Sequence, residues 1–117
     1  MTRRTDRVAE ALQALVAELL LREIKDPRIG LVTITGVKLS PDLRNARVYF
    51  SRLGGESERA QSLKGLNSAA GFIRSQVARR LNLRVAPQIA FEFDPSLERA
   101  ERMAQLLKDD PPRDPEP

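Results

Sequence analysis

The chain has 117 residues with 20 basic and 16 acidic side chains, and contains neither cysteine nor histidine. That length supports one domain whose core needs no covalent or metal staple. The missing residue types remove disulfides, thiolate nucleophiles, sulfur-ligated metals and the usual physiological-pH general base, and an absence of cysteine fits a reducing compartment such as the cytosol.

Val8, Leu12, Leu15, Val16 and Leu19 recur at steps of three and four, which predicts an amphipathic helix over about residues 5–24. Its apolar run is interrupted by Gln13 and Glu18 and is far too short to span a membrane. It follows no secretory pattern either. Pro27 ends the helix, and "KDPRIG" reads as a turn. "LVTITGVKL" and "NARVYFSRL" are rich in β-branched and aromatic residues and flank the turn residues of "SPDLR", so they form a hairpin. Ala46, Val48 and Phe50 alternate with Arg47, Tyr49 and Ser51, the period of a sheet buried on one face.

After "LGGES" a second helical stripe begins with Ala60, Leu63 and Leu66, and Ala70, Ile73, Val77 and Leu81 extend it to about residue 82. Asn67 and Ser68 favour helix starts and Gly71 weakens a helix interior, so this region reads as two short helices, or one bent helix, hinged near residues 67–71. "VAPQIAFEF" is a third strand, with Val85, Ile89, Phe91 and Phe93 available to the core and Pro87 expected at an edge or a bulge. Asp94 and Pro95 cap a last helix with Leu97, Ala100, Met103 and Leu107 on one side. The Pro-rich end "DDPPRDPEP" is expected to be disordered. The fold class is thus α+β, with helices on one face of a three-stranded mixed sheet.

Charge carries the functional signal. Residues 1–93 hold 16 basic against 9 acidic side chains, whereas residues 94–117 hold 4 against 7. From Arg59 to Phe91 there are six basic residues and no acidic one, a field of one sign that repels itself unless a polyanion is its neighbour. Nucleic acid is the leading partner. The acids offer no catalytic constellation, since Asp26 and Asp42 stand beside prolines in turns, and "LGG" lacks the lysine and hydroxyl of a phosphate loop. No enzyme, cofactor or metal is expected. On a helical wheel Gly71, Ser75 and Arg79 lie opposite the apolar stripe, where a small residue lets another backbone come close, be it a sugar-phosphate chain or a second helix. Phe50, Phe91 and Phe93 belong to the core, leaving Tyr49 and Phe72 for stacking, so phosphate contact and shape should outweigh base readout.

Three blocks, "REIKDPRIGLVTITGV", "SPDLRNARVYFS" and "AAGFIRSQVARRLNLRVAPQIAFEFD", resemble the ribosome-binding factor A family over roughly residues 4–97. The resemblance implies a type II K-homology (KH) fold over residues 1–94, and the last helix and Pro-rich end read above then occupy 95–108 and 109–117. It also implies a cytoplasmic, non-enzymatic role in maturing the small (30S) ribosomal subunit and its 16S rRNA. The family's Ala-x-Gly helix kink, which replaces the Gly-x-x-Gly loop of other KH domains, matches Ala69, Ala70 and Gly71.

The expected RNA-binding set is Arg3, Arg4, Arg7, Arg47, Arg74, Ser75, Arg79, Arg80 and Arg84. The protein is expected to be a monomer with no membrane or DNA partner. An interaction module for an acidic protein is the alternative reading, and a helix-turn-helix for duplex DNA is a weaker third.

Overall fold

The computed structural model describes residues 3–109 as three helices and one three-stranded sheet. Helix α1 (Arg3–Arg22) buries Leu12, Val16 and Leu19 completely, with Leu15 beside them. Full burial of each such side chain is worth about 1.5–3 kcal/mol. The helix ends where the amides of Glu23 and Ile24 both donate to the Leu19 carbonyl, ahead of Pro27.

Strands β1 (Val32–Leu39) and β2 (Asn45–Arg52) form the expected antiparallel hairpin, with a register irregularity between Ile34 and Gly36. Their turn is tied by the Asp42 carboxylate, which accepts hydrogen bonds from the Ser40 hydroxyl and the Arg44 amide at 2.7 and 3.1 Å. Strand β3 (Gln88–Phe93) pairs parallel to β2, giving the order β1-β2-β3. Ala46, Val48 and Phe50 of β2 and Phe91 of β3 are buried against the helices, while Arg47 is exposed on the other face. Phe50 and Phe93 meet edge to face, 5.9 Å between centroids. Val85 is 52% exposed and stands outside β3, which begins only after the buried Pro87, because a proline cannot donate to the ladder.

The parallel crossover is one continuous helix, α2 (Glu56–Arg80), rather than two. Leu66, Ile73 and Val77 are all fully buried on a single face, and that packing outweighs the roughly 1 kcal/mol by which a mid-helix glycine weakens it. A helix-turn-helix needs two helices at this place, so the DNA reading falls. The helix starts with Glu58 reaching back to accept from the Gly55 amide at 2.6 Å. It ends in a Schellman motif: Leu83 N–H donates to Ala78 and Asn82 N–H to Arg79, with Asn82 left-handed at φ 54.

The loop after α1 lies against the first half of α2. The Ser62 hydroxyl donates to the Ile29 carbonyl at 2.6 Å and accepts from Arg52 Nε at 3.1 Å. One turn on, a Cβ on Gly65 would stand 2.6 Å from Ile29 Cγ1 and 3.2 Å from the Ile29 amide. Another turn on, Ser68 Oγ accepts from Arg28, which also chelates Asp26.

Helix α3 (Ser96–Asp109) is held at its start by the Asp94 cap and an Arg59–Glu98 ion pair of 3.2 Å. Beyond that point it leaves its apolar side open, with Met103 61% exposed. The expected disordered tail, 109–117, begins with Asp109, which is instead the last residue of α3, and residues 110–117 lie outside the described residues.

Of the glycines in α2, then, Gly65 is the one pressed by a neighbour, whereas Gly71 has nothing within 4 Å of its Cβ position. Gly65→Val should cost about 1–3 kcal/mol through overpacking. Gly71→Ala should add up to about 1 kcal/mol through helix propensity. Urea denaturation of the two variants checks the opposite signs.

Candidate nucleic-acid interface

The exposed side of α2 carries Gly71, Phe72, Ser75 and Arg79 on successive turns, back to back with buried Ile73 and Val77. The Ser75 hydroxyl is turned inward and donates to the Phe72 carbonyl at 2.8 Å. Among the described residues no hydrogen bond or ion pair engages the guanidinium groups of Arg4, Arg7, Arg79 or Arg84.

The remaining expected arginines are placed differently. Arg74 is half-buried, and its Nε donates to the Pro87 carbonyl at 3.0 Å, fastening the loop before β3 to α2. Arg80 pairs with Glu23 at 2.9 Å and lies 3.9 Å from Glu18, both contributed by the α1 side of the molecule. Arg47 stands on the sheet face opposite the helices, away from the α2 surface. Arg3 falls in the first turn of α1, but its side chain lies outside what the structure describes. Ala69 and Ala70 are half-buried in the unbroken helix beside exposed Gly71.

One basic residue went unnoticed in the sequence. Arg44, at the end of the hairpin turn, lines a cleft of about 320 Å³ together with Arg4 and Arg84. The sequence shows it only as a turn residue two positions after Asp42. The Asp42 Oδ1 accepts from the turn's own hydroxyl and amide donors, and its charge stays close to Arg44 alone among the three arginines.

Among the described residues, four carboxylates are held below the ordinary range. Hydrogen bonds from Arg28 lower Asp26, the Ser40 hydroxyl lowers Asp42, the Gly55 amide lowers Glu58, and Ser96 followed by Thr35 lowers Asp94. A carboxylate with a depressed folded pKa contributes stability that is present above its unfolded pKa and lost as pH falls through the folded one. With no histidine to titrate, the melting temperature should be level between about pH 5 and 8 and drop from about pH 4 downward. A thermal melt series across that range checks it, and Asp26→Asn should flatten part of the acid limb.

Together the mixed sheet, the helices packed on one of its faces and the unneutralised guanidinium groups define a small basic α+β domain of KH-like fold. The family model of ribosome-binding factor A matches residues 4–107. A ribosome-binding factor A of Geobacter metallireducens is 50% identical over 93% of this chain and 92% of its own, and one of Desulfitobacterium hafniense is 47% identical over 90% and 84%. The crystal structure of the Thermus thermophilus ribosome-binding factor A superposes with a TM-score of 0.66 at 27% identity, covering 75% of this chain and 93% of that one. A homology model of the Thermus factor, fitted into a cryo-electron microscopy map of a 30S complex, gives 0.62 at 28%, covering 74% and 91%. The chain belongs to the ribosome-binding factor A family, a family of ribosome-binding factors.

Proposed function

We propose that the protein binds the immature small ribosomal subunit through its 16S rRNA and promotes late maturation and rRNA processing without catalysis, as a monomer in the cytoplasm. The observation that carries this reading is the outward face of α2, where Arg79 has no partner among the described residues and Gly71 leaves open space beside it. With nothing within 4 Å of the Gly71 Cβ position beyond its own stretch of helix, the room is available to a visiting ribose-phosphate chain. Arg4, Arg7 and Arg84 extend the same contact as free donors, and Arg3 lies beside them in sequence. Arg74 and Arg80 support it from within, by holding the loop before β3 and by tying α2 to the α1 side. Arg47 would reach RNA only on the opposite side of the sheet. Ala69, Ala70 and Gly71 mark the segment at which α2 meets the RNA backbone. The relative fitted into a 30S complex gives this reading its partner. The protein acts by holding one RNA conformation, which requires that it bind the unfinished particle better than the finished one.

Tagged protein should co-sediment with free small subunits in a sucrose gradient. If about four phosphates are contacted, doubling the salt should weaken binding roughly tenfold. Arg79→Glu should reduce co-sedimentation while leaving the urea midpoint within about 0.5 kcal/mol of wild type, since the residue is exposed and unpaired. Protein found only at the top of the gradient under all salt conditions would refute the reading.

A further inference from the structure

Three elements that are far apart in sequence deliver a guanidinium to one cleft. Arg4 comes from the first turn of α1, Arg44 from the hairpin turn, and Arg84 from the loop between α2 and β3. The cleft lies at the end of the sheet where Asn45 pairs with Gln88, opposite the end from which α3 departs after Phe93. The two loops are built to hold it. Gln88 N–H donates to the Arg44 carbonyl at 2.8 Å, joining the hairpin turn to the start of β3. Leu43 and Asn82, which also line the cleft, both adopt left-handed backbone at φ 62 and 54. Each reverses the chain just before its arginine, so the direction of Arg44 and Arg84 follows from turn geometry rather than from any internal ion pair.

Against these three cations the cleft offers one acid, Asp42, whose Oδ1 accepts from the Ser40 hydroxyl and the Arg44 amide and whose charge offsets Arg44 in part, leaving the cleft with an excess of positive charge. Three like charges around one concavity repel one another, and nothing described in this chain neutralises Arg4 or Arg84. A partner that supplies negative charge there relieves this cost. The volume, about 320 Å³, sits at the lower end of small-ligand sites and has room for one nucleotide unit.

A polymer fits better than an isolated anion, because free arginines continue the path on both sides. Arg7 follows Arg4 after one turn of α1, and Arg79 stands in the last turn of α2 just before the loop that carries Arg84. We propose that the Arg4–Arg44–Arg84 cleft is a seat for an RNA phosphodiester, through which the ribosomal RNA backbone is registered on the protein. This rests on the small-subunit reading above and adds to it a particular anchoring point, with Arg44 as a contact residue. A guanidinium suits the role, since its planar fork can hold two phosphate oxygens at once.

The test uses the full chain as Arg44→Gln/Arg84→Gln, with Arg99→Gln/Arg102→Gln as a control that removes the same charge from α3 at the other end of the sheet. Binding to purified free small subunits is measured across a salt series. At about 0.1 M salt the cleft variant should bind about 10- to 100-fold more weakly, with a salt slope lower by about 1.5, while the control stays within about threefold. Urea midpoints equal to wild type verify folding, and an Arg84→Lys variant that recovers part of the affinity confirms a charge contact.

If the cleft variant and the control weaken alike, the cleft is no anchoring point, and the small-subunit reading stands without it. Failure of the wild type itself to bind small subunits overturns that reading, and the cleft proposal with it. A capture from lysate that depends on Arg44 and Arg84 yet survives ribonuclease overturns the RNA assignment in favour of an acidic protein.

Discussion

The position of α2 depends on a side chain that is not there. At Gly65 the helix comes so close to the loop after α1 that an added Cβ would stand 2.6 Å from Ile29 Cγ1, and one turn to either side a serine hydroxyl bonds to the same loop. Ser62, Gly65 and Ser68 thus form a rail of small residues at three-residue spacing, on which Arg28 and Ile29 rest. The Ser62 hydroxyl also accepts from Arg52 at the end of β2, so loop, strand and helix are joined at one oxygen. This fixes the rotation of α2. A shift of one residue along the helix turns it by about 100° and would bring Asn67, Arg74 and Ala78, or Gly65, Phe72 and Gln76, to the positions now held by Leu66, Ile73 and Val77.

Once α2 is fixed, the arginines separate into two kinds. Arg28, Arg52, Arg59, Arg74 and Arg80 are engaged inside the chain: on Asp26, on Ser62, on Glu98 and the Phe93 ring at 4.6 Å, on the Pro87 carbonyl, and on Glu23. They stitch elements together, and no described buried polar side-chain atom is left without a hydrogen bond. Arg4, Arg7, Arg79 and Arg84 take no part in this stitching. A chain that uses arginine both as mortar and as exposed charge shows in its composition only the total, and for this reason net charge points to a polyanion without pointing to the residues that would meet it.

The strands, the hairpin and the parallel crossover were legible because a two-residue period and Pro- or Gly-marked turns are local signals. The core face of β2 was readable residue by residue for the same reason. What escaped was the identity of packing partners. Gly65 and Gly71 look alike in a sequence, and only the arrival of Ile29, 36 positions earlier, separates the crowded glycine from the open one. Asn67 and Ser68 suggested a helix start, but Ser68 serves as a mid-helix acceptor for Arg28. Arg74 looked like a free donor until the loop before β3 was folded back over it. Arg44 stands in a turn, and only the fold brings it to the same cleft as Arg4 and Arg84.

On the proposed reading, the same stitching bears on selectivity. Phosphate attraction alone does not separate one ribosomal RNA segment from another, since every nucleotide carries the same charge. Base stacking on this face is confined to the exposed Phe72, because Phe50 and Phe91 are buried and the Phe93 ring is covered by Arg59. What remains is geometry. Guanidinium groups presented from α1, the hairpin turn and the end of α2 keep their separations, because the core and the internal arginine contacts lock those elements together. The backbone positions they extend from are ordered on folding and only the side chains are ordered on binding, so binding strength turns on whether an RNA backbone brings its phosphates within reach of those positions. An RNA segment that shifts as the particle matures no longer does so, and that difference in affinity lets a rigid basic surface favour one stage of assembly without performing any chemistry.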